Sequence, residues 1–406
     1  MKKAEYLAYI QKTLQRGRSM YDEAMEAWRK AYNPGNFFGM YAAPGIITAL
    51  AHLEAFMHRA TGEREYAERA RKHLLEIGDY RSIVPEEQRS IHPEYEKEVP
   101  ALEACFQSPH YTYGYKYIKA AGLLTAEECA KIDGWLASSI RAAMQYPEWG
   151  SHNRAMLRVW ATVLASSVAA PTEEWAYWNK LADQMALDSV RGWSIEDAQA
   201  YMDLWLIATM EYMRYRGREE EYFAMPQARY YFDFIVRLIT PYGQVPDFGD
   251  TNFNATWYIW IPILEKGASV YRDGRMKYAA GKLFEFAMKA ERDPLAPLYG
   301  SFLALAHEWA DDSVEPVRPE SGSEDVLDDL VGKKIVFRGG WDEDDTYMLL
   351  NYRDEGPYGR TARKYLRTTI SVRAEKMHHG HSDENAVVLL AAGGNILLHD
   401  GGYREA

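Results

Sequence analysis

From residue 3 to about residue 310, apolar side chains recur at the third and fourth positions of a helical repeat, interrupted only by short turn signals. The clearest segments are Ala4–Lys30, Ile46–Thr61, Glu63–Ile77, Tyr111–Ala121, Ala126–Met144, Ala155–Ser167, Glu173–Ser189 and Ala198–Tyr215. Three more follow, Ala228–Ile239, Trp257–Val270 and Met276–Lys289. So long a succession of paired helices closes most simply as an α/α toroid or opens as a solenoid. No fixed-period repeat of the tetratricopeptide or ankyrin kind is present, which favours the toroid.

The pattern then changes. Between Asp311 and Asp329 the text is acidic and carries Pro, Ser and Gly, the composition of an interdomain linker. Beyond it, KIVFRGG, TYMLLNYRD, LRTTISVRAE, AVVLLAAGG and NILLHDGG are short β-branched or apolar runs broken by Gly and Asp, hence antiparallel strands. The expected organisation is a helical domain over 1–310, a linker over 311–329 and the start of a β-domain over 330–406. Five strands are few for two stacked sheets. The β-domain is therefore expected to be cut short in this chain, or completed by a second polypeptide or another copy of this one.

Composition narrows the function classes. With 47% hydrophobic and 26% charged residues over 406 positions the chain reads as globular with room for two domains. No stretch approaches the ~20 apolar residues of a membrane helix. The first residues mix charge with apolar side chains, so no secretory core is seen; a cytoplasmic protein is expected if this N-terminus is native, a periplasmic or secreted one if a leader has been removed. Cys105 and Cys129 are too few for a disulfide framework. A net charge of −12 argues against nucleic acid as a partner, and a polyanion would need cations gathered locally. Such a gathering exists between 353 and 376. Arg353, Arg360, Arg363, Lys364, Arg367, Arg373 and Lys376 face only Asp354, Glu355 and Glu375, an excess of four positive charges. The 12 Trp and 30 Tyr suit either sugar stacking or helix–helix cores.

Chemistry concentrates in residues 376–403, KMHHGHSDENAVVLLAAGGNILLHDGGY. His379 and His381 flank a glycine before an apolar strand, and a hairpin returns Asp400 beside His381. Two imidazoles and a carboxylate suit Zn²⁺, while loop histidines with Asp400 serving a turn explain the pattern equally well. The arrangement resembles the HGHAD…GG…DPG signature of the heparinase II/III-like polysaccharide lyases. That resemblance implies an incomplete α/α toroid followed by an antiparallel β-sandwich. It places His379 in the catalytic cleft and gives His381 and Asp400 to a structural zinc, with no organic cofactor. The family's third zinc ligand, a later His, would lie past Ala406.

Three helical segments extend the resemblance over roughly residues 145–403. Trp149-Gly150-Ser151-His152-Asn153-Arg154 is similar to the loop whose Asn contacts the uronate carboxylate, which assigns that role to Asn153 with His152 and Arg154 beside it. His152 or Asn153 would also serve as a cap for the helix that follows. Gly192 to Tyr201, GWSIEDAQAY, resembles the DGxxxEDSxxY stretch whose Tyr is the Brønsted base or acid, hence Tyr201. Asp197 lies one turn earlier on the same face, beside Glu196. PYGQVPDFGD, 241–250, resembles a PDGxxPxxGD turn, with Asp247 and Asp250 as turn residues or caps.

The chemistry implied is β-elimination of a uronic-acid-containing polysaccharide. Removing the C5 proton creates an enolate-like dianion, so the carboxylate must first be neutralised by amide or imidazolium donors. A base then takes the proton and an acid protonates the departing C4 oxygen, tasks suited to Tyr201 and His379. Arg154, Glu196, Asp197, Arg363 and Arg367 are the expected substrate-binding side chains. Two other classes stay open: a toroid glycoside hydrolase using two of Glu196, Asp197, Asp247 and Asp250, and a non-catalytic carbohydrate-binding protein.

Overall fold

The structure is a computed structural model that describes residues 1–30, 43–78, 101–145, 147–193, 198–249, 251, 257–320, 326–329, 333–352 and 386–399. Its helices are α1 (Lys3–Lys30), α2 (Ala43–Thr61), α3 (Arg64–Gly78), α4 (Ala101–Ala120), α5 (Ala126–Gln145), α6 (Asn153–Ser166) and α7 (Glu173–Met185). Then come α8 (Leu187–Arg191), α9 (Gln199–Tyr215), α10 (Glu219–Ala224), α11 (Pro226–Leu238), α12 (Trp257–Tyr271), α13 (Gly274–Ala290) and α14 (Pro297–Trp309). Helices α2, α4, α6, α9, α12 and α14 pack in that order, and α14 packs back on α2. These six bury nearly all their described faces, as helices walled in on every side must. The others cover them: α1 lies on α2 and α14, α5 on α4, α7 on α6, and α13 on α12. This is a helical toroid.

Polar contacts fix how the inner helices run. Ser301 Oγ on α14 lies 2.7 Å from His52 Nδ1 on α2 and 2.8 Å from His110 Nδ1 on α4. One hydroxyl donates once, so one imidazole accepts from it while the other donates to it. Seven residues further along each of the same three helices, Arg59 and Tyr117 both bond Glu308. Two levels in the same order mean that α2, α4 and α14 run parallel. Tyr113 with Glu211, and Lys116 with the Tyr215 hydroxyl at 2.9 Å, align α9 with α4 in the same way. Short turns at 121–125 and 147–152 reverse the chain from α4 to α5 and again to α6, so α6 shares that direction. The inner helices therefore start at one end of the ring and finish at the other.

The sheet is a five-stranded antiparallel meander: β1 (Val326–Asp329), β2 (Lys334–Arg338), β3 (Tyr347–Asn351), β4 (Ala386–Ala392) and β5 (Asn395–His399), in that order. On β2 and β3 the alternation buries Lys334, Val336, Arg338, Tyr347, Leu349 and Asn351. This face meets the helices at the C-terminus of α11. Arg338 Nη2 donates to the carbonyls of Arg237 and Ile239 at 2.8 Å each, and Tyr347 Oη donates to Leu238 O at 2.6 Å. The last carbonyls of a helix lack partners within it and carry its negative end, so a guanidinium from the sheet is a fitting cap. Trp341 lies under that guanidinium, 4.0 Å from ring centroid to Cζ.

Several expectations need adjusting. Val326–Asp329, read as the end of the linker, pairs with β2 as β1, Val326 opposite Phe337. The preceding acidic stretch is tied to the ring, with Arg272 on Asp311, Lys3 N on Asp312 and Val317 N bonded to Gly274 O. Helix α4 starts ten residues before Tyr111, because its inward side chains Gln107, Ser108 and His110 hide the apolar period. Helix α14, PLYGSFLALAHEW, is apolar on too many sides to show one. The run LRTTISVRAE lies outside the described residues, and those residues form one sheet.

Burial pushes the His110 imidazole down to about 3 and also lowers that of His52, where His110 and Arg59 add to the effect. A histidine that protonates less readily folded than unfolded loses stability as pH falls below its unfolded value near 6.5. Between pH 7 and pH 5 this costs about 2 kcal/mol for His110, seen as a falling denaturant midpoint. His110→Gln should flatten that slope, and an unchanged slope would show that the imidazole does not titrate on unfolding.

Candidate functional site

Two of the segments singled out in the sequence meet at the start of α9. The Gln199 N–H donates to Phe248 O at 2.9 Å, and Thr251 Oγ1 donates to Gln199 Oε1 at 3.0 Å. The first turn of α9 is thereby seated on the 241–251 loop. Tyr201, third residue of that helix, lies half-buried against the core.

The loop is shaped by its own chemistry. Thr240 N bonds Gln244 O, and Gln244 N bonds Thr240 Oγ1, both at 2.8 Å, closing a turn directly after α11. Gly243 holds φ at +102° there, and a Cβ on it would collide with the Lys282 carbonyl on α13. The chain then runs through buried Val245, Asp247 and Phe248. Lys334 of β2 stands over the Phe248 ring, Nζ 4.6 Å from its centroid. The sheet thus bears on the residue whose carbonyl holds α9.

Asn153 is the first residue of α6 and is buried. Helices α6 and α9 pack side by side, so Asn153 and Tyr201 open neighbouring parallel helices at one end of the ring. His152 is the N-cap of α6. Its Nδ1 accepts the Ala155 N–H at 3.4 Å, and its Nε2 lies 3.1 Å from Trp149 O, contacts that the Nε2-protonated neutral ring makes together. Arg154 points outward and bonds Glu148, Nη2 to Oε1 at 2.6 Å, a carboxylate that Arg158 shares at 3.0 Å. An anion at Arg154 would compete with Glu148.

The remaining assigned residues, Glu196, Asp197, Arg363, Arg367, His379, His381 and Asp400, lie outside the described residues, as do Asp250 and the rest of the 353–376 cationic run. Among the described residues no cluster of three or more His, Cys, Asp or Glu is placed to hold a metal. Residues 353–385 connect Tyr352 to Ala386, and Asn351 and Ala386 pair at the same end of the sheet as Lys334. The described residues on either side of 353–385 thus lie at the strand ends beside Lys334, which stands over Phe248.

Sequence reasoning missed Lys334 and Gln199. In KIVFR the period of two sets Lys334 and Arg338 on one face with Val336, and two cations sharing the buried face were the available signal. Gln199 carries no such signal, since its role depends on Phe248.

No family model and no curated protein matches the chain. Among solved structures it is similar to Heparinase III, with a TM-score of 0.54 at 13% identity, covering 92% of this chain and 52% of that one. The heparan sulfate lyase HepC from Pedobacter heparinus aligns at a TM-score of 0.49 and 13% identity, over 95% of this chain and 55% of that one. The chain spans about half the length of these structures. At such identity the likeness is one of fold, a helical toroid followed by an antiparallel sheet.

Gly243→Ala tests the loop. The collision with Lys282 and a disallowed φ should cost at least about 2 kcal/mol in chemical denaturation. Unaltered stability would mean that the turn is not held as described.

Proposed function

We propose that the protein is a polysaccharide lyase that cleaves a uronic-acid-containing polysaccharide by β-elimination, with Tyr201 exchanging the proton at the sugar. The observation that carries this reading is the meeting of three parts at one end of the ring: the first turn of α9, the first turn of α6, and the sheet edge bearing the 353–385 segment. The proposed groups come from the ring, Asn153 and Tyr201, and from the segment that follows β3, His379, and this is where ring and sheet adjoin. The ring adds a field of its own. Parallel inner helices direct their N-termini to that end, and each favours an anion by roughly 0.3–1 kcal/mol near its first turn. A uronate carboxylate would sit where this partial charge converges, with the Asn153 amide as donor.

In this reading Asn153 neutralises the carboxylate, lowering the cost of the dianion that forms when the C5 proton leaves. Tyr201 and His379 divide the remaining work. The one as phenolate takes the proton, the other protonates the C4 oxygen as the glycosidic bond breaks and the C4–C5 double bond forms. Arg363 and Arg367 would hold further acidic groups of the polymer. Glycosaminoglycan is the first substrate class to try, since the solved structure similar at a TM-score of 0.54 is a heparinase by name. A structural zinc on His381 and Asp400 belongs to the same proposal, and elemental analysis of the purified chain would find it.

Heparan sulfate and other uronans are offered in turn, and the ultraviolet absorbance of the new double bond is followed. Tyr201→Phe and His379→Ala should each lower kcat by about a hundredfold or more, the usual worth of a general acid or base. Full activity in either variant removes that residue's role. New reducing ends without the chromophore would mean hydrolysis and would overturn the lyase reading.

A further inference from the structure

Of the 12 tryptophans, ten are buried, from Trp28 to Trp341, and two are not: Trp149 is 57% exposed and Trp193 50%. Leaving an indole face in water forgoes the gain from burying its apolar surface. One such ring needs no explanation. Both exceptions, however, stand in the segments leading into α6 and α9, the helices that open with Asn153 and Tyr201. Among the described residues the other exposed aromatics are Tyr177 at 64%, on α7 in the outer layer, and Phe337 at 43%, on β2.

The backbone beneath each ring is anchored. The Trp149 carbonyl lies 3.1 Å from His152 Nε2, and Gly150 follows at φ +110°, turning the chain before the cap of α6. The carbonyl of Gly192, just before Trp193, accepts the Tyr231 hydroxyl at 3.3 Å, and the Trp193 ring lies 5.9 Å from that of Tyr230. These indoles are thus carried on tethered turns. A flat apolar face held in water matches the C–H face of a pyranose ring, and that contact does not depend on net charge. It adds a grip on an acidic polymer that the net charge of −12 does not oppose.

We propose that Trp149 and Trp193 are stacking platforms for sugar rings of the bound chain, flanking the residue at which Tyr201 acts. They are positioning residues that grip the polymer without touching the reacting atoms. This assignment rests on the lyase reading and adds the prediction that recognition depends on chain length.

The test is calorimetric binding of size-graded heparan sulfate oligosaccharides to the Tyr201→Phe chain, with and without a tryptophan replacement. Trp149→Ala and Trp193→Ala should each weaken binding of the longer oligosaccharides by about tenfold, the size of one aromatic contact. Trp149→Phe and Trp193→Phe should regain most of it, and in the active chain the Ala variants should lose on KM rather than on kcat. If the Tyr201→Phe chain binds while both Ala variants bind within a factor of about two of it, the platforms are refuted and the lyase reading stands. If the unaltered chain neither binds nor cleaves any uronan, both fall together.

Discussion

The joint between ring and sheet is made at the C-terminus of α11, where Arg338 and Tyr347 take the carbonyls of Arg237, Leu238 and Ile239. Buried carbonyls left unpaired would cost on the order of 1–3 kcal/mol each, so the sheet cannot slide on the helix without losing them. Position propagates from there. The Thr240–Gln244 turn follows directly, Gly243 seats it against α13, and the next few residues deliver the Phe248 carbonyl to the start of α9. Tyr201 is thus located by a chain of contacts that begins on the sheet.

The ring contributes direction. Because its inner helices run parallel, its ends differ chemically. At the finishing end Arg59, Lys116 and Arg214 lie among Glu211, Glu308, Tyr117 and Tyr215, cations at helix C-termini joined to carboxylates and hydroxyls. Burial raises the Glu211 carboxyl above its ordinary value, and burial together with the neighbouring Glu211 charge holds the Tyr113 phenol well above its own, so both keep their protons more tightly. The carboxylates described at that end, Glu211 and Glu308, are paired with its arginines. The starting end has the positive helix termini, the loop that seats α9, and the sheet, which is why the proposed site is put there.

Much of the architecture was legible in the sequence because period and composition are local signals. Outer helices such as α1 and α13 announced themselves through amphipathic spacing, and the switch to β-branched runs marked the sheet. Helices buried on every side gave less: α14 lacks a polar stripe, and the first half of α4 buries Gln107, Ser108 and His110 where the pattern expects apolar residues. Tyr201 and Asn153 were singled out through short motifs by resemblance, and their common end of the ring follows from helix direction, a tertiary fact. The Gln199–Phe248 bond was beyond reach, since its partners are remote in sequence and neither is an unusual residue, whereas Lys334 showed only as a second cation on the face of KIVFR that becomes buried. His152 shows the opposite case, a residue whose capping role was readable beside a motif role, and whose two ring nitrogens serve the turn.

The account stands on a phenol from the ring and an imidazole from the sheet reaching one sugar. A crystal of the Tyr201→Phe chain soaked with an oligouronate examines that directly. The account predicts glycan density against the first turn of α9, with residue 201 and the His379 side chain meeting the same sugar ring from the two domains. Density seated on another face, or a His379 side chain turned away from the ring that residue 201 touches, would contradict it.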